Sequence, residues 1–115
     1  MSDCIFCKII SGEIPSKKVY EDDRVLAFHD INPTAPVHIL VIPKEHITSL
    51  AEVKDEQLEL IGYVHGVIRN IAKDLGLVNG FRVVNNCGLD GGQEVKHLHF
   101  HLLGGKKLTW PAGIV

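Results

Sequence analysis

The 115-residue sequence predicts an α+β fold, an antiparallel sheet of about five strands with one long helix and a short N-terminal helix. Three observations lead there. Short apolar segments bounded by turn residues fall at 19–21, 25–30, 37–42, 81–85 and 97–103. A single stretch, about 55–75, repeats apolar residues at helical spacing. The last segment, His97-Leu98-His99-Phe100-His101-Leu102-Leu103, alternates with a period of two, the signature of a strand with two different faces.

Taken in order, Phe6, Ile9 and Ile10 have helical spacing, and Ser11-Gly12 ends a short helix over 4–11 with Cys4 and Cys7 on one face. Val19–Glu21 and Val25–Asp30 form a hairpin through Asp22-Asp23. The prolines at 33 and 36 force a loop, after which Val37–Ile42 is a nearly continuous apolar strand containing His38 and closed by Pro43. A short helical turn at 49–53 precedes the long helix. Its stripe is read as Leu58, Ile61, His65, Ile68, Ile71, Ala72 and Leu75, with Gly76 as the C-terminal stop and His65 as a partly buried helix histidine. Phe81–Asn85 is another strand, and the loop 86–94 carries Gly88, Gly91 and Gly92, whose amides can converge on phosphate oxygens. The tail beyond Gly104 has no periodicity, so Trp110 is read as covering a neighbouring subunit or site.

The length fits one domain, residues 1–115. A net charge of -2 without a basic run lacks the footprint of a protein that grips long nucleic acid. A small anion is still a suitable ligand. Three cysteines cannot pair completely, and no apolar run spans a bilayer or resembles a secretory signal; the expected location is cytoplasmic, with no membrane partner.

Chemistry concentrates in the last strand. Three imidazoles at alternate positions share one face at ~7 Å intervals, while Leu98, Phe100 and Leu102 take the other. Neutral imidazole serves as a metal ligand or as a nucleophile, and the strand alone leaves both open.

At this point the chain resembles the histidine triad family, whose His-φ-His-φ-His-φ-φ motif (φ apolar) residues 97–103 match throughout. Phe28-His29-Asp30-Ile31, the run from Ala35 to Lys44, Asp90-Gly91-Gly92-Gln93 and Leu103-Gly104-Gly105 resemble its nucleoside-phosphoramidase, or Hint, branch. The resemblance implies a homodimer whose sheets join, and a purine nucleotide substrate. It implies His99 as nucleophile at the α-phosphorus of a nucleoside 5′-phosphoramidate, with His38 and His101 supporting it and His101 a candidate proton donor to the leaving amine. It assigns the ribose to Asp30, the base slot to Phe6, Ile9, Phe28, Ile31 and Leu40, and the phosphate to Asn86, Gly92, Gln93 and Glu94, with Trp110 reaching the partner's site. Two positions depart from the family. Glu94 stands where animal members carry serine, and Lys96 where an aromatic is common.

Cys4-x-x-Cys7 by itself fits a redox pair, two buried thiols or half of a metal site. Bacterial histidine triad proteins and their uridylyltransferase relatives bind structural zinc with this pattern, so the resemblance implies zinc on Cys4, Cys7, His46 and His97. No redox or nucleotide cofactor is expected. Alternatives to the phosphoramidase are a dinucleoside polyphosphate hydrolase and a non-catalytic nucleotide- or zinc-binding regulatory protein.

Overall fold

The structure is a computed structural model and describes residues 3–109. Helix α1 (Ile5–Ser11) is followed by strands β1 (Lys18–Glu21), β2 (Val25–His29) and β3 (Val37–Pro43). Two 3₁₀ turns (Leu50–Glu52, Asp55–Gln57) lead into helix α2 (Leu58–Asp74), and strands β4 (Arg82–Val84) and β5 (Phe100–Gly104) complete the chain. All five strands join one antiparallel sheet, as the sequence predicts, in the order β1-β2-β3-β5-β4. The last strand of the sequence thus lies inside the sheet, with its long neighbour β3 on one side and short β4 on the other.

Both faces of the sheet are covered, which explains why β2 and β3 read as apolar runs without alternation. On one face α2 contributes Val64, Val67, Ile68 and Ile71, packed against Val25, Ala27, Ile39, Val41, Leu98, Phe100 and Leu102. On the other, Phe6 and Ile9 of α1 pack on Leu26, Phe28, Leu40 and Ile42. Burying each such side chain contributes roughly 1.5–3 kcal/mol. Because α1 is only seven residues long, it leaves part of its face uncovered, and the histidines lie on that face.

Several boundaries differ from the sequence reading. Asp55–Gln57 is 3₁₀, so α2 starts at Leu58, and its buried stripe is Leu60, Val64, Val67, Ile68, Ile71 and Ala72; Leu58 and Leu75 are exposed. The spacing of 3.6 is the same, but the stripe is rotated. His65 consequently falls at an exposed position, its Nδ1 bonded to the Ile61 carbonyl at 2.8 Å and its ring edge against Phe100. Gly76 does stop the helix, at φ +74°, a conformation that L side chains rarely adopt. Cys4 is the N-cap of α1 and not a helical residue; its Sγ accepts from the Cys7 amide at 3.3 Å.

Sheet pairing on β5 begins only at Phe100. His97, Leu98 and His99 keep the alternating faces of the expected strand but lie before the ladder, where the Leu98 amide donates to the Ile47 carbonyl at 2.7 Å. This frees backbone groups that a continuous ladder would have consumed.

Candidate active site and metal group

His99 is buried beneath α1, with Phe6 edge-on to its ring at 5.1 Å between centroids. Its Nδ1 lies 2.7 Å from the His97 carbonyl, an obligate acceptor, so Nδ1 carries the proton and Nε2 has the free lone pair. Burial, opposed by that bond and by the charges of Asp30 and Glu94, pushes its pKa down from the ordinary histidine value. The ring is neutral at neutral pH and basic at a defined nitrogen.

His38 and His101 form a second chain of defined protons. The register pairs Leu40 with His101 and His38 with Leu103, which makes the two histidines diagonal neighbours on one face. The Thr34 amide donates to His38 Nδ1 at 3.1 Å, so a neutral His38 is protonated at Nε2. That Nε2 donates to His101 Nδ1 at 2.9 Å, which leaves the His101 proton on Nε2. Asp30 Oδ2, 3.4 Å from His38 Nε2, adds a carboxylate to the chain. Burial, then the neighbouring His99 and His38, pushes His101 down to about 4; burial likewise lowers His38 against the pull of Asp30. The outcome is a basic Nε2 on His99 next to an N–H donor on His101, with the rings 5.3 Å apart.

Phe6, Ile9, Phe28, Asp30, Ile31 and Leu40 all line a cleft of about 810 Å³; His38, His99 and His101 are not in its walls, and Phe6 against His99 and Asp30 against His38 connect it to them. The five apolar residues expected at the base and the expected ribose carboxylate are therefore brought together. Ile31 is 91% exposed, so it forms the rim and not the floor.

The glycine loop bonds to itself: the Gly92 amide donates to the Leu89 carbonyl and the Gln93 amide to the Gly88 carbonyl, both at 3.0 Å. The Gln93 side chain is also occupied: Nε2 donates to the carbonyls of Thr48 and Val95, and Oε1 accepts from the Gly88 amide. Asn86 Nδ2 donates to the Gly91 carbonyl at 2.8 Å. A Cβ on Gly91 would lie 2.3 Å from the Cys87 carbonyl oxygen, so glycine is required for the loop to close this tightly. Glu94 follows the loop, exposed, on a separate cavity. Trp110 lies outside the described residues.

Cys4, Cys7, His46 and His97 converge with one donor atom each, all within 4.8 Å of one another. His97 is fully buried; its Nε2 donates to the Pro43 carbonyl at 2.8 Å, which leaves Nδ1 unprotonated toward Cys4 Sγ at 3.4 Å and Cys7 Sγ at 3.6 Å. His46 Nδ1 is 3.3 Å from Cys7 Sγ. A tetrahedron with bonds of about 2.3 Å to sulfur and about 2.0 Å to nitrogen sets unlike donors roughly 3.5 Å apart, which the three sulfur–nitrogen separations of 3.3, 3.4 and 3.6 Å match, so the donor set fits zinc. Burial, then the adjacent Cys4, pushes the Cys7 thiol up to about 11, and a divalent cation is the partner that favours the thiolates. A second convergence, Asp30, His38 and His101, fits a cation poorly, because the Thr34 amide forces the His38 proton onto the nitrogen that would have to bind it.

Sequence reasoning missed the residues that orient these rings through the main chain. Thr34 and the Pro43 carbonyl act at a distance in sequence. Asn85, whose Nδ2 donates to the His99 carbonyl at 2.9 Å, was visible only as the end of a strand.

The HIT domain matches residues 11–108. The chain belongs to the HIT family. It is 62% identical to a histidine triad protein from Clostridium difficile, with a TM-score of 0.94 over 96% of this chain and 97% of that one. A HIT family hydrolase from Legionella pneumophila superposes with a TM-score of 0.93 at 48% identity, over 96% and 100% of the two chains. The 14 kDa zinc-binding protein of Zea mays is 53% identical over 97% of this chain and 89% of its own length. Adenylylsulfatase HINT1 of Arabidopsis thaliana is 48% identical over 97% and 78%.

Proposed function

We propose that this HIT protein is a purine nucleotide hydrolase that cleaves the P–N bond of nucleoside 5′-phosphoramidates. The observation that carries the reading is the His99 ring: its Nδ1–H is tied to the His97 carbonyl, so the lone pair of Nε2 is held ready for attack. The base occupies the apolar cleft, with Asp30 accepting from the ribose hydroxyls. His99 Nε2 attacks the α-phosphorus, the P–N bond breaks, and the amine leaves with a proton from His101 Nε2, the end of the His38–His101 chain. Water then attacks the nucleotidyl-histidine to release nucleoside monophosphate. The hydrolase named from Legionella pneumophila supports the reaction class.

Zinc on Cys4, Cys7, His46 and His97 stabilises the fold by joining α1 to the segments carrying His46 and His97. The zinc-binding name of the Zea mays relative supports that ion. The working unit is a homodimer; its support is the sheet edge at β4, where Val83 and the neighbouring Phe81 are exposed. A monomer mass in solution would remove the dimer.

The test is release of AMP from adenosine 5′-phosphoramidate by the intact protein and by His99→Ala, with acid trapping of the labelled intermediate. Loss of both turnover and trapped label in the variant is expected. Diadenosine polyphosphate and adenylyl sulfate run in parallel, the latter because a 48%-identical relative is named an adenylylsulfatase. Faster turnover of either would reassign the substrate.

A further inference from the structure

Helix α1 belongs to two places at once. Ile5, Phe6 and Ile9 line the cleft that takes the nucleotide base, facing Phe28 of β2 and Leu40 of β3. Cys7, with the N-cap Cys4, stands instead within 3.3–3.6 Å of the ring nitrogens of His46 and His97. The same seven residues are one wall of the cleft and half of the metal group.

The two walls are held very differently. Phe28 and Leu40 are paired with each other in the β2–β3 ladder, at the centre of the sheet. Helix α1 is in no ladder. Among the described residues, the only hydrogen-bond contacts from 4–12 to the chain beyond residue 14 are those of the two thiols with His46 and His97; the others close within residues 4–14. What else fixes the helix is the burial of Phe6 and Ile9, the side chains that the base would touch. A helix this short does not hold its shape alone.

We propose that metal binding and nucleotide binding are positively linked through α1. With the four donors joined, the helix presents a preformed apolar wall to the base; with the donors unjoined, binding the base must also order the helix, and affinity falls. Zinc supply then sets how well the protein holds its nucleotide. The inference rests on the zinc and nucleotide readings above and adds the connection between them.

Calorimetry with AMP tests it on the zinc-loaded protein, on the same protein after chelation and on Cys4→Ser. Kd for AMP should be about tenfold weaker in both metal-free forms. Linkage is reciprocal, so saturating AMP should tighten zinc by the same factor, read by competition with a chromogenic chelator. Neither measurement needs turnover. Hydrogen exchange on the metal-free protein locates the effect: AMP should restore protection in residues 4–12, while β2, β3 and β5 stay protected with or without it.

Equal Kd values for AMP in the loaded and metal-free forms, or a zinc affinity that AMP does not move, overturn the linkage while leaving both underlying readings standing. Intact protein that holds no zinc removes the metal reading, loaded protein that binds no AMP removes the nucleotide reading, and the linkage falls with either. Loss of protection throughout the sheet on chelation also overturns it, because the coupling would then be general unfolding and not a movement of α1.

Discussion

His97 accepts the Nδ1 proton of His99 on its main-chain carbonyl while its own side chain faces the two thiols. One residue thus belongs to the metal group through its ring and to the proposed reaction centre through its backbone. This is possible because the chain from 97 to 99 lies before the β5 ladder, so the carbonyl of His97 is available to a side chain. The triad performs two tasks with one alternation.

Replacing the ring at either end of the proton arrangement should separate the two chemical roles. His99→Ala removes the only proposed nucleophile and is expected to lower turnover at least about 10³-fold, with no trapped intermediate. His101→Ala removes the proposed proton donor; kcat should fall roughly 10²-fold, with the smallest loss for amides whose leaving amine is least basic. Circular dichroism should show both variants folded, and equal sensitivity of the His101 variant to all leaving groups would remove it as the donor.

The neutral histidines set the pH response. His101, held at about 4 by burial and its histidine neighbours, stays neutral well below the ordinary value of about 6.5. The kcat/KM profile should therefore stay flat from about pH 8 through 6.5 and fall as pH approaches 4. The stability sign follows from the same shift. Below about pH 6.5 the unfolded chain takes up protons that the folded chain refuses, so stability is lost as pH falls from there toward 4. Thermal melts at pH 5 should lie about 5 °C under those at pH 7. A rate that halves near pH 6.5 would contradict the burial of these rings.

Much of this site was legible because its residues alternate. The period of two placed three histidines on one face and three apolar residues on the other, and the structure keeps that division even outside the paired strand. The cysteine pair was legible by spacing, but His46 came to it only through resemblance, since nothing local links residue 46 to residue 4. The rotation of α2 was not legible: Leu58 and Leu75 are as apolar as Leu60, and only the sheet decides which are covered. That the Gly92 and Gln93 amides bond within the loop was not legible, because glycines that admit a phosphate also let a loop bond to itself.

Asp22 should be a sensitive position away from the site. Burial opposes its ionisation, yet it is held down at about 2 by the hydroxyls of Tyr20 and Tyr63 and the amides of Arg24 and Val25. Tyr63 lies on α2, so this carboxylate ties the β1–β2 turn to the helix, and Arg24 stacks over the same ring at 4.6 Å. Asp22→Ala should cost about 2–3 kcal/mol in chemical denaturation at pH 7. Because the folded pKa lies below the unfolded one, the contribution is present above about pH 4 and fades as pH falls toward 2. A loss that stayed constant down to pH 2 would mean that the charge has no part in it.

Metal removal should weaken the chain at its N-terminal helix. Helix α1 has only seven residues, too few to be stable alone, and what holds it is the packing of Phe6 and Ile9 plus the convergence of Cys4 and Cys7 on His46 and His97. Zinc analysis of protein purified without chelator should give close to one ion per chain, and Cys4→Ser should reduce it sharply. Chelation should lower Tm by about 10 °C or more and increase hydrogen exchange first in residues 4–12, before the sheet, because β2, β3 and β5 retain the core packed against α2. If chelated and untreated protein melted together and exchanged alike, the four residues would be a buried polar cluster with no bound ion.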